Sequence, residues 1–330
     1  MSGPGGLDVL DAAAVGALLR PRDAVRAVED ALRAGLDPSV TPPRSAVSTA
    51  QGELLLMPAA GADAVGVKVV SVAPGNAGRG LPRIQGVYVL FDEATLTPQA
   101  VLDGAALTTL RTPAVSVAAV RRALEYRQRP LRTVVFGAGP QGVGHLRTLA
   151  DTLPPSSGQG PALDATVVVR DVSGAVLPAL DGVSARLAGA GSEAVGAALA
   201  EADVVVCATT ARRPLFPADA VADTAVVVAV GAHELEAWEV EPALAVRAQV
   251  VVEDRATALR EAGVVHAAVA AGELAATDVV SMREVVAGMI ELPSDKPLLF
   301  VSVGMAWEDL AVARRLHEAY RLERATNQKG

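Results

Sequence analysis

Three cations and one glycine turn carry most of the chemistry legible in this chain. Gly137, Gly139 and Gly142 stand in G-x-G-x-x-G spacing within Leu131-Arg-Thr-Val-Val-Phe-Gly-Ala-Gly-Pro-Gln-Gly-Val-Gly-His-Leu146. Residues 133–136 form a β-type run that feeds the first glycine, and a helical pattern follows the third. Between a strand and a helix, the first glycine permits a tight turn and the second lets the backbone approach a pyrophosphate. The third lets the helix pack closely. Unsatisfied N–H groups at the helix start attract phosphate, and Pro140 suits a first helical turn, where its missing N–H costs nothing. Such a turn binds a dinucleotide. Asp171 closes Val167-Val-Val-Arg-Asp171, 29 residues beyond Gly142, against a usual spacing of about 20. The Pro-rich stretch 154–161 accounts for the excess. A carboxylate there accepts the ribose 2′-OH and repels a 2′-phosphate, which favours NAD. Arg170 beside it leaves NADP open, and a helix cap is the structural alternative for Asp171.

Lys68 interrupts the apolar run Val65-Gly-Val-Lys-Val-Val-Ser-Val72. An ammonium there must reach a partner or snorkel, because burying it unpaired is very costly. Arg44 follows Pro42-Pro43 at the start of a strand. Arg111 precedes Thr112-Pro113, which reads as an N-cap and N1 pair and puts Arg111 at the mouth of a helix. Convergent Arg and Lys suit a carboxylate substrate, since a guanidinium binds it bidentately and an ammonium as a point charge. Each alone is an ordinary surface or structural cation; the joint occurrence points to a site. Among other reactive residues, His145 on the helix after the glycine turn reads as packing. His266 and His317 read as structural or solvent-facing, and Cys207 as core. No Cys/His set has metal spacing, so no metal is expected, and no G-x-S-x-G elbow occurs.

The elements that must position these residues differ between the halves. Residues 21–36 form a helix with Val25, Val28, Leu32 and Leu36 on one face. Short β-like runs follow at 45–48, 53–57, 65–72, 86–91 and 99–102, punctuated by turns, as in a mostly antiparallel or mixed sheet. Beyond Thr112, strands at 133–136, 166–170, 204–208, 225–230, 250–253 and 298–303 alternate with helix-length segments. That pattern indicates a parallel sheet covered on both faces. A final helix spans 308–322. The fold class is α/β: a doubly wound Rossmann sheet at 113–305 plus a β-rich α+β domain at 1–112, to which the C-terminal helix at about 306–330 returns.

Composition narrows the partners. The net charge is −8 without a basic cluster, which argues against nucleic acid or an anionic membrane. One cysteine excludes an internal disulfide and fits a reducing, cytoplasmic setting. The N-terminal residues lack the basic and apolar regions of a signal peptide. Although 51% of residues are hydrophobic, no run reaches the roughly 18 uninterrupted apolar residues of a membrane span.

Several separated motifs together resemble the ornithine cyclodeaminase/μ-crystallin family over nearly the whole chain. They are Pro43-Arg44, Met57-Pro-Ala59, Gly66-Val-Lys-Val-Val-Ser71, Gln85-Gly86, Val89-Leu-Phe-Asp92, Leu102-Asp-Gly104 and Thr108-x-x-Arg-Thr112. Gly137-Ala-Gly-Pro-Gln141, His145-Leu146, Ala202-Asp203, Ala208-Thr209, Val230-Gly-Ala232, Ser302-Val-Gly-Met-Ala306 and Glu308-Asp309 complete the set. The resemblance implies a homodimer whose first domain dimerises and binds a small α-amino or α-imino acid. It implies hydride exchange between the substrate α-carbon and a nicotinamide cofactor. Arg44, Lys68 and Arg111 match the family's carboxylate ligands. Thr112, Gly137, Gly139, Pro140, Gln141, Gly142, Asp171, Thr209, Val230, Gly231 and Gly304 match its cofactor contacts. One position departs. Cyclodeaminases carry an aspartate after the Gly-Ala of Val230-Gly-Ala232, and this chain has His233. Glu234 and Glu236 lie nearby, and Glu239 matches a Glu-Leu element of the family. Without the aspartate, deaminating cyclisation lacks its expected acid/base group, whereas redox at the α-carbon does not need it. His233 is itself a candidate proton donor, with an exposed loop histidine as its plain alternative. The leading reading is an NAD(P)-dependent amino-acid dehydrogenase or ketimine reductase, with Lys68 or His233 handling the proton. An ornithine or lysine cyclodeaminase and a non-catalytic crystallin-like binding protein are the alternatives.

Overall fold

The computed structural model describes residues 6–124, 129–153, 160, 162–232 and 234–328. In chain order the first half contains β1 (Asp8–Leu10), α1 (Ala12–Leu18), α2 (Pro21–Arg33), β2 (Ser45–Thr49), β3 (Gly52–Ala60), β4 (Ala64–Val72), β5 (Ile84–Asp92), β6 (Pro98–Asp103) and α3 (Gly104–Val120). There follow β7 (Leu131–Phe136), α4 (Pro140–Thr152), β8 (Leu163–Val169), β9 (Val183–Gly189), α5 (Glu193–Ala200), β10 (Val204–Cys207) and β11 (Val226–Ala229). The chain continues through α6 (Pro242–Arg247), β12 (Gln249–Val252), α7 (Arg255–Glu261), α8 (Gly263–Ala270), β13 (Val280–Ser281), α9 (Met282–Val286), β14 (Leu298–Val301) and α10 (Ala306–Asn327). Two compact units result: Met1–Arg111 with Met305–Gly330, and Thr112–Gly304.

In the first unit six strands run in the order β1-β6-β5-β4-β3-β2, antiparallel except for β1 on β6. Along β4 the residues alternate between buried and half-buried, which sets Ala64, Gly66, Lys68 and Val70 on the buried face. Helix α10 packs against β3, β4 and β5, and also against α2. Helix α2 turns Ala24, Val25, Val28 and Leu32 inward but stops at Arg33, short of the expected Leu36. The reason is Gly35, at φ 100°: its N–H bonds the Leu32 carbonyl and the Leu36 N–H bonds that of Ala31, a Schellman ending.

In the second unit all eight strands are parallel, in the order β13-β12-β14-β11-β10-β7-β8-β9. Every residue of β10, β11 and β14 is buried, as both-face coverage requires. The core joins Val134, Val205, Val227, Leu299 and Val301, with Phe136 stacked on Phe216 at 5.4 Å between centroids. Strand β9, half-buried to exposed with no fully buried residue in Val183-Ser-Ala-Arg-Leu-Ala-Gly189, has no valine run to betray it and is not expected from the sequence, nor are β1 and β13.

The Thr112-Pro113 reading needs correcting. Helix α3 starts at Gly104 and Pro113 lies inside it, so Thr112 is not an N-cap and Arg111 is mid-helix. The true start is capped by Asp103, whose Oδ1 accepts the Ala106 N–H at 2.8 Å. Proline in a helix interior costs about 3 kcal/mol. Leu107, Val115, Val117 and Val120, all buried on this helix, each contribute about 1.5–3 kcal/mol, and burial wins.

Candidate active site

The first unit holds a buried cluster of four charges. Lys68 is 2% exposed and lies between Met57 and Tyr88 in the cross-strand register. Its Nζ donates to Asp309 Oδ2 at 2.7 Å and reaches Thr108 Oγ1 at 3.5 Å. Arg111 donates through Nη1 to Glu308, and its Nε lies 3.3 Å from Asp309 Oδ1. Glu308 also accepts the Met305 N–H at 2.9 Å, closing the first turn of α10. Both carboxylates are fully buried. Burial pulls the Lys68 ammonium down to about 8; Asp309 opposes the shift and Arg111 adds to it. Arg44 is half-buried, one residue ahead of Ser45. Ser45 pairs with Leu56, so Arg44 stands at the level of Met57 and Lys68 on the sheet. Trp307, also buried, opens α10 just before the acidic pair.

The sequence reading assigns no role to Glu308 or Asp309. A signal was available: two acids inside the apolar surroundings of Met305-Ala-Trp and Leu310-Ala-Val obey the same logic as Lys68. Buried charges of opposite sign seek each other.

The second unit holds the glycine turn. Gly137 has φ 105°, and a Cβ there would lie 2.5 Å from the Ala208 carbonyl oxygen. A Cβ at Gly142 would lie 1.9 Å from the Gly137 oxygen, whereas one at Gly139 would meet nothing within 4 Å. The outer glycines thus serve packing, and the middle one leaves an open approach to the backbone, as a pyrophosphate needs. Gly139 is the N-cap of α4 and Pro140 its first residue, with Gln141 next. The residues present fit a dinucleotide.

The other predicted cofactor positions in this unit follow strand ends, except Thr112. Thr112 is buried in α3, with its carbonyl oxygen 3.0 Å from Ser116 Oγ. Asp171 follows β8 in an exposed turn, with Oδ1 accepting from Ser173 N at 2.8 Å and Ser173 Oγ at 2.7 Å. It caps no helix. Those two bonds hold its carboxyl below the ordinary value, so it carries a charge at neutral pH. Thr209 follows β10, while Val230 and Gly231 follow β11. Glu239 ties these ends together, accepting from Thr209 N and Oγ1 at 2.7 Å each and from Gly231 N at 2.6 Å. Burial pushes its pKa up against the pull of those bonds. Gly231 cannot be larger, since a Cβ would lie 2.0 Å from the Thr209 oxygen. Beyond β14, Glu253 accepts from Ser302 Oγ at 2.5 Å, Gly304 N at 2.9 Å and Val303 N at 3.0 Å, fixing Gly304 at φ 75°. Glu253 has no part in the sequence reading. Trp238, beside Glu239, donates Nε1 to the Leu235 carbonyl at 2.9 Å.

His233 lies outside the described residues, as does nearly all of 154–161. Glu234 is exposed and paired with Arg212 at 2.7 Å, and Glu236 is exposed. Among the described residues no group of His, Cys, Asp or Glu could hold a metal ion.

His145 is buried between Gln141 and Ser116. The Gln141 carbonyl, 2.7 Å from Nδ1, can only accept, so Nδ1 carries hydrogen and Nε2 accepts from the Ser116 hydroxyl at 2.9 Å. Burial lowers the imidazole pKa to about 4. Below the unfolded value of about 6.5 the unfolded chain takes a proton that the folded one refuses. Stability present above pH 6.5 is therefore lost as the pH falls towards 4, by roughly 3 kcal/mol at one pKa unit per 1.36 kcal/mol. Urea titrations between pH 7 and 4 should show that slope in the wild type and a shallower one in His145→Gln.

The family described as Ornithine cyclodeaminase/mu-crystallin matches residues 7–156 and 173–323. A Delta(1)-pyrroline-2-carboxylate/Delta(1)-piperideine-2-carboxylate reductase of Azospirillum brasilense is 32% identical over 287 residues, 87% of each chain. The structure of a Thermococcus litoralis Delta(1)-pyrroline-2-carboxylate reductase in complex with NADH and L-proline superposes with a TM-score of 0.81 at 22% identity, covering 97% of this chain and 98% of the other. An archaeal alanine dehydrogenase dimer with bound NAD superposes at 0.78 and 26% identity, covering 96% and 97%.

Proposed function

Because the chain belongs to the ornithine cyclodeaminase/mu-crystallin family, we propose that it is an NAD(P)-dependent oxidoreductase acting at the α-carbon of an amino or imino acid. A cyclic ketimine carboxylate is the substrate class we favour. The observation that carries this reading is the buried Lys68–Asp309 and Arg111–Glu308 cluster. Two cations held in fixed positions out of water are preorganised for a carboxylate, and a Lys68 ammonium lowered to about 8 can also give up a proton. The nicotinamide supplies a hydride when bound. Gly137, Gly139, Gly142 and the start of α4 would hold its pyrophosphate, Asp171 the adenosine ribose, and Thr112, Gln141, Thr209, Val230, Gly231 and Gly304 the remaining contacts. The charged Asp171 favours NAD over NADP.

Lys68 and Arg111, joined by Arg44, would bind the substrate carboxylate, and Lys68 or His233 would protonate the nitrogen. Cyclodeaminase chemistry would need a carboxylate in place of the family aspartate. Exposed Glu234 and Glu236 and the fully engaged Glu239 are poor substitutes. The paired cations also argue against a merely crystallin-like binder. Homodimerisation is supported by exposed Val47, Ile84 and Val87 on the six-stranded sheet. No helix among the described residues is long and apolar enough to cross a membrane, and we take the cytoplasm as the working compartment.

The test is oxidation of NADH and NADPH with a panel of cyclic imines, and of 2-oxo acids with ammonia or methylamine. We expect turnover with at least one cyclic imine carboxylate, and kcat/KM falling as pH rises through about 8 while Lys68 loses its proton. Cofactor binding without turnover on any substrate would refute the assignment.

A further inference from the structure

We infer that the Tyr88 hydroxyl is a positioning group of the substrate site, taking hold of Asp309 when Lys68 passes its proton to the substrate. The inference rests on the proton-donor role given to Lys68 in the proposed reaction. Tyr88 is the β5 residue paired with Lys68 across the sheet, so both side chains leave the same face. Its side chain is fully buried, yet Oη has no hydrogen-bond partner among the described residues. Asp309 Oδ1, in the same cluster, also lacks a hydrogen bond among the described residues, its ion-pair contact being Arg111 Nε at 3.3 Å. Oη is a donor and Oδ1 an acceptor with a lone pair to spare, and a buried donor left unmatched in a resting site is available to another state.

Room for the hydroxyl is specifically made. Gly66 lies two residues before Lys68 on the same face, and a Cβ there would sit 2.1 Å from Tyr88 Oη. If the ring served packing alone, a phenylalanine would fill the space without desolvating a hydroxyl. Burial and the Asp309 charge both push the phenol pKa well above its usual value, so the group stays a donor.

The step balances simply. A bond forms between a proton and the substrate nitrogen as one Nζ–H bond of Lys68 breaks, and the amine keeps the electron pair. Asp309 then faces a neutral amine instead of an ammonium. The Tyr88 O–H offers Oδ1 a hydrogen bond until water returns a proton to Lys68. The other groups facing Lys68 remain as they were: Glu308 from α10, Arg111 and Thr108 from α3, and Met57 from β3.

The test is Tyr88→Phe, assayed on whichever imine the wild type reduces. We expect kcat to fall about tenfold, the factor of one modest hydrogen bond, with KM within about twofold. The alkaline limb near pH 8 should move upward, because deprotonated Lys68 then leaves Asp309 less well served. The Tm of the free protein should stay the same or rise, since a buried unpartnered hydroxyl is removed. A wild-type kcat and limb in Tyr88→Phe would overturn the inference. So would a fall in Tm with kcat and the limb unmoved, the mark of a structural role. An inactive wild type would instead overturn the assigned reaction, and the two failures are distinguishable.

Discussion

Lys68→Met should lower kcat/KM roughly a thousandfold, the range lost when a positioned proton donor is removed, while NADH still binds. The same change should destabilise the protein, by about 3 kcal/mol or more, because the fully buried Asp309 loses the ammonium 2.7 Å away. The two effects separate in a second variant. Lys68→Met combined with Asp309→Leu removes both partners, and replacing a buried pair with apolar side chains is often neutral for stability. Chemical denaturation should therefore find the double variant more stable than the single one, and steady-state assays should find it equally inactive. Recovery of activity along with stability would mean that Lys68 matters only for holding the fold.

The second and third glycines of the turn should fail in different ways. Gly142→Ala places a methyl 1.9 Å from the Gly137 oxygen, a backbone atom that no rotamer change can move aside. The β7–α4 turn must open, and NADH affinity should drop by about a hundredfold or more, near 3 kcal/mol, with a lower Tm. Gly139→Ala meets no protein atom within 4 Å, and its backbone, at φ −76°, is available to any residue. It should keep the folding stability within about 1 kcal/mol, the usual cost of alanine at an N-cap, and still weaken NADH binding. Fluorescence titration and thermal melts of both variants check this. Equal affinities for wild type and Gly139→Ala would contradict the pyrophosphate's approach to that glycine.

How far the sequence reaches depends on which signal each residue obeys. The valine runs of β10, β11 and β12 and the alternation of β4 are legible because burial on two faces or one dictates composition directly. The glycine turn is legible for a similar reason, since steric demands at Gly137 and Gly142 admit one residue type. Lys68 is legible as a problem: a charge amid valines must find a partner. Its solution, Asp309, lies 241 positions along the chain, and no local pattern links the two. Glu253 and Glu239 are hidden for the same reason, as carboxylates that bind backbone N–H groups on distant strand ends. At Thr112-Pro113 a strong local signal misleads, because the apolar helix around it outweighs one missing hydrogen bond. Strand β9, at the sheet edge with no fully buried residue, leaves almost no trace.

The two tryptophans give the molecule built-in optical probes. Trp307 immediately precedes Glu308 and Trp238 immediately precedes Glu239, and the chain has no other indole. Trp307 is buried with Nε1 unpartnered among the described residues, and shielding from water favours short-wavelength emission. Half-buried Trp238 donates to a carbonyl, a more polar setting. With Trp238→Phe in place, the remaining emission reports the carboxylate cluster of the first unit. With Trp307→Phe it reports the strand ends of the second. Substrate and cofactor arrival can thus be followed as separate spectral events in an unlabelled protein.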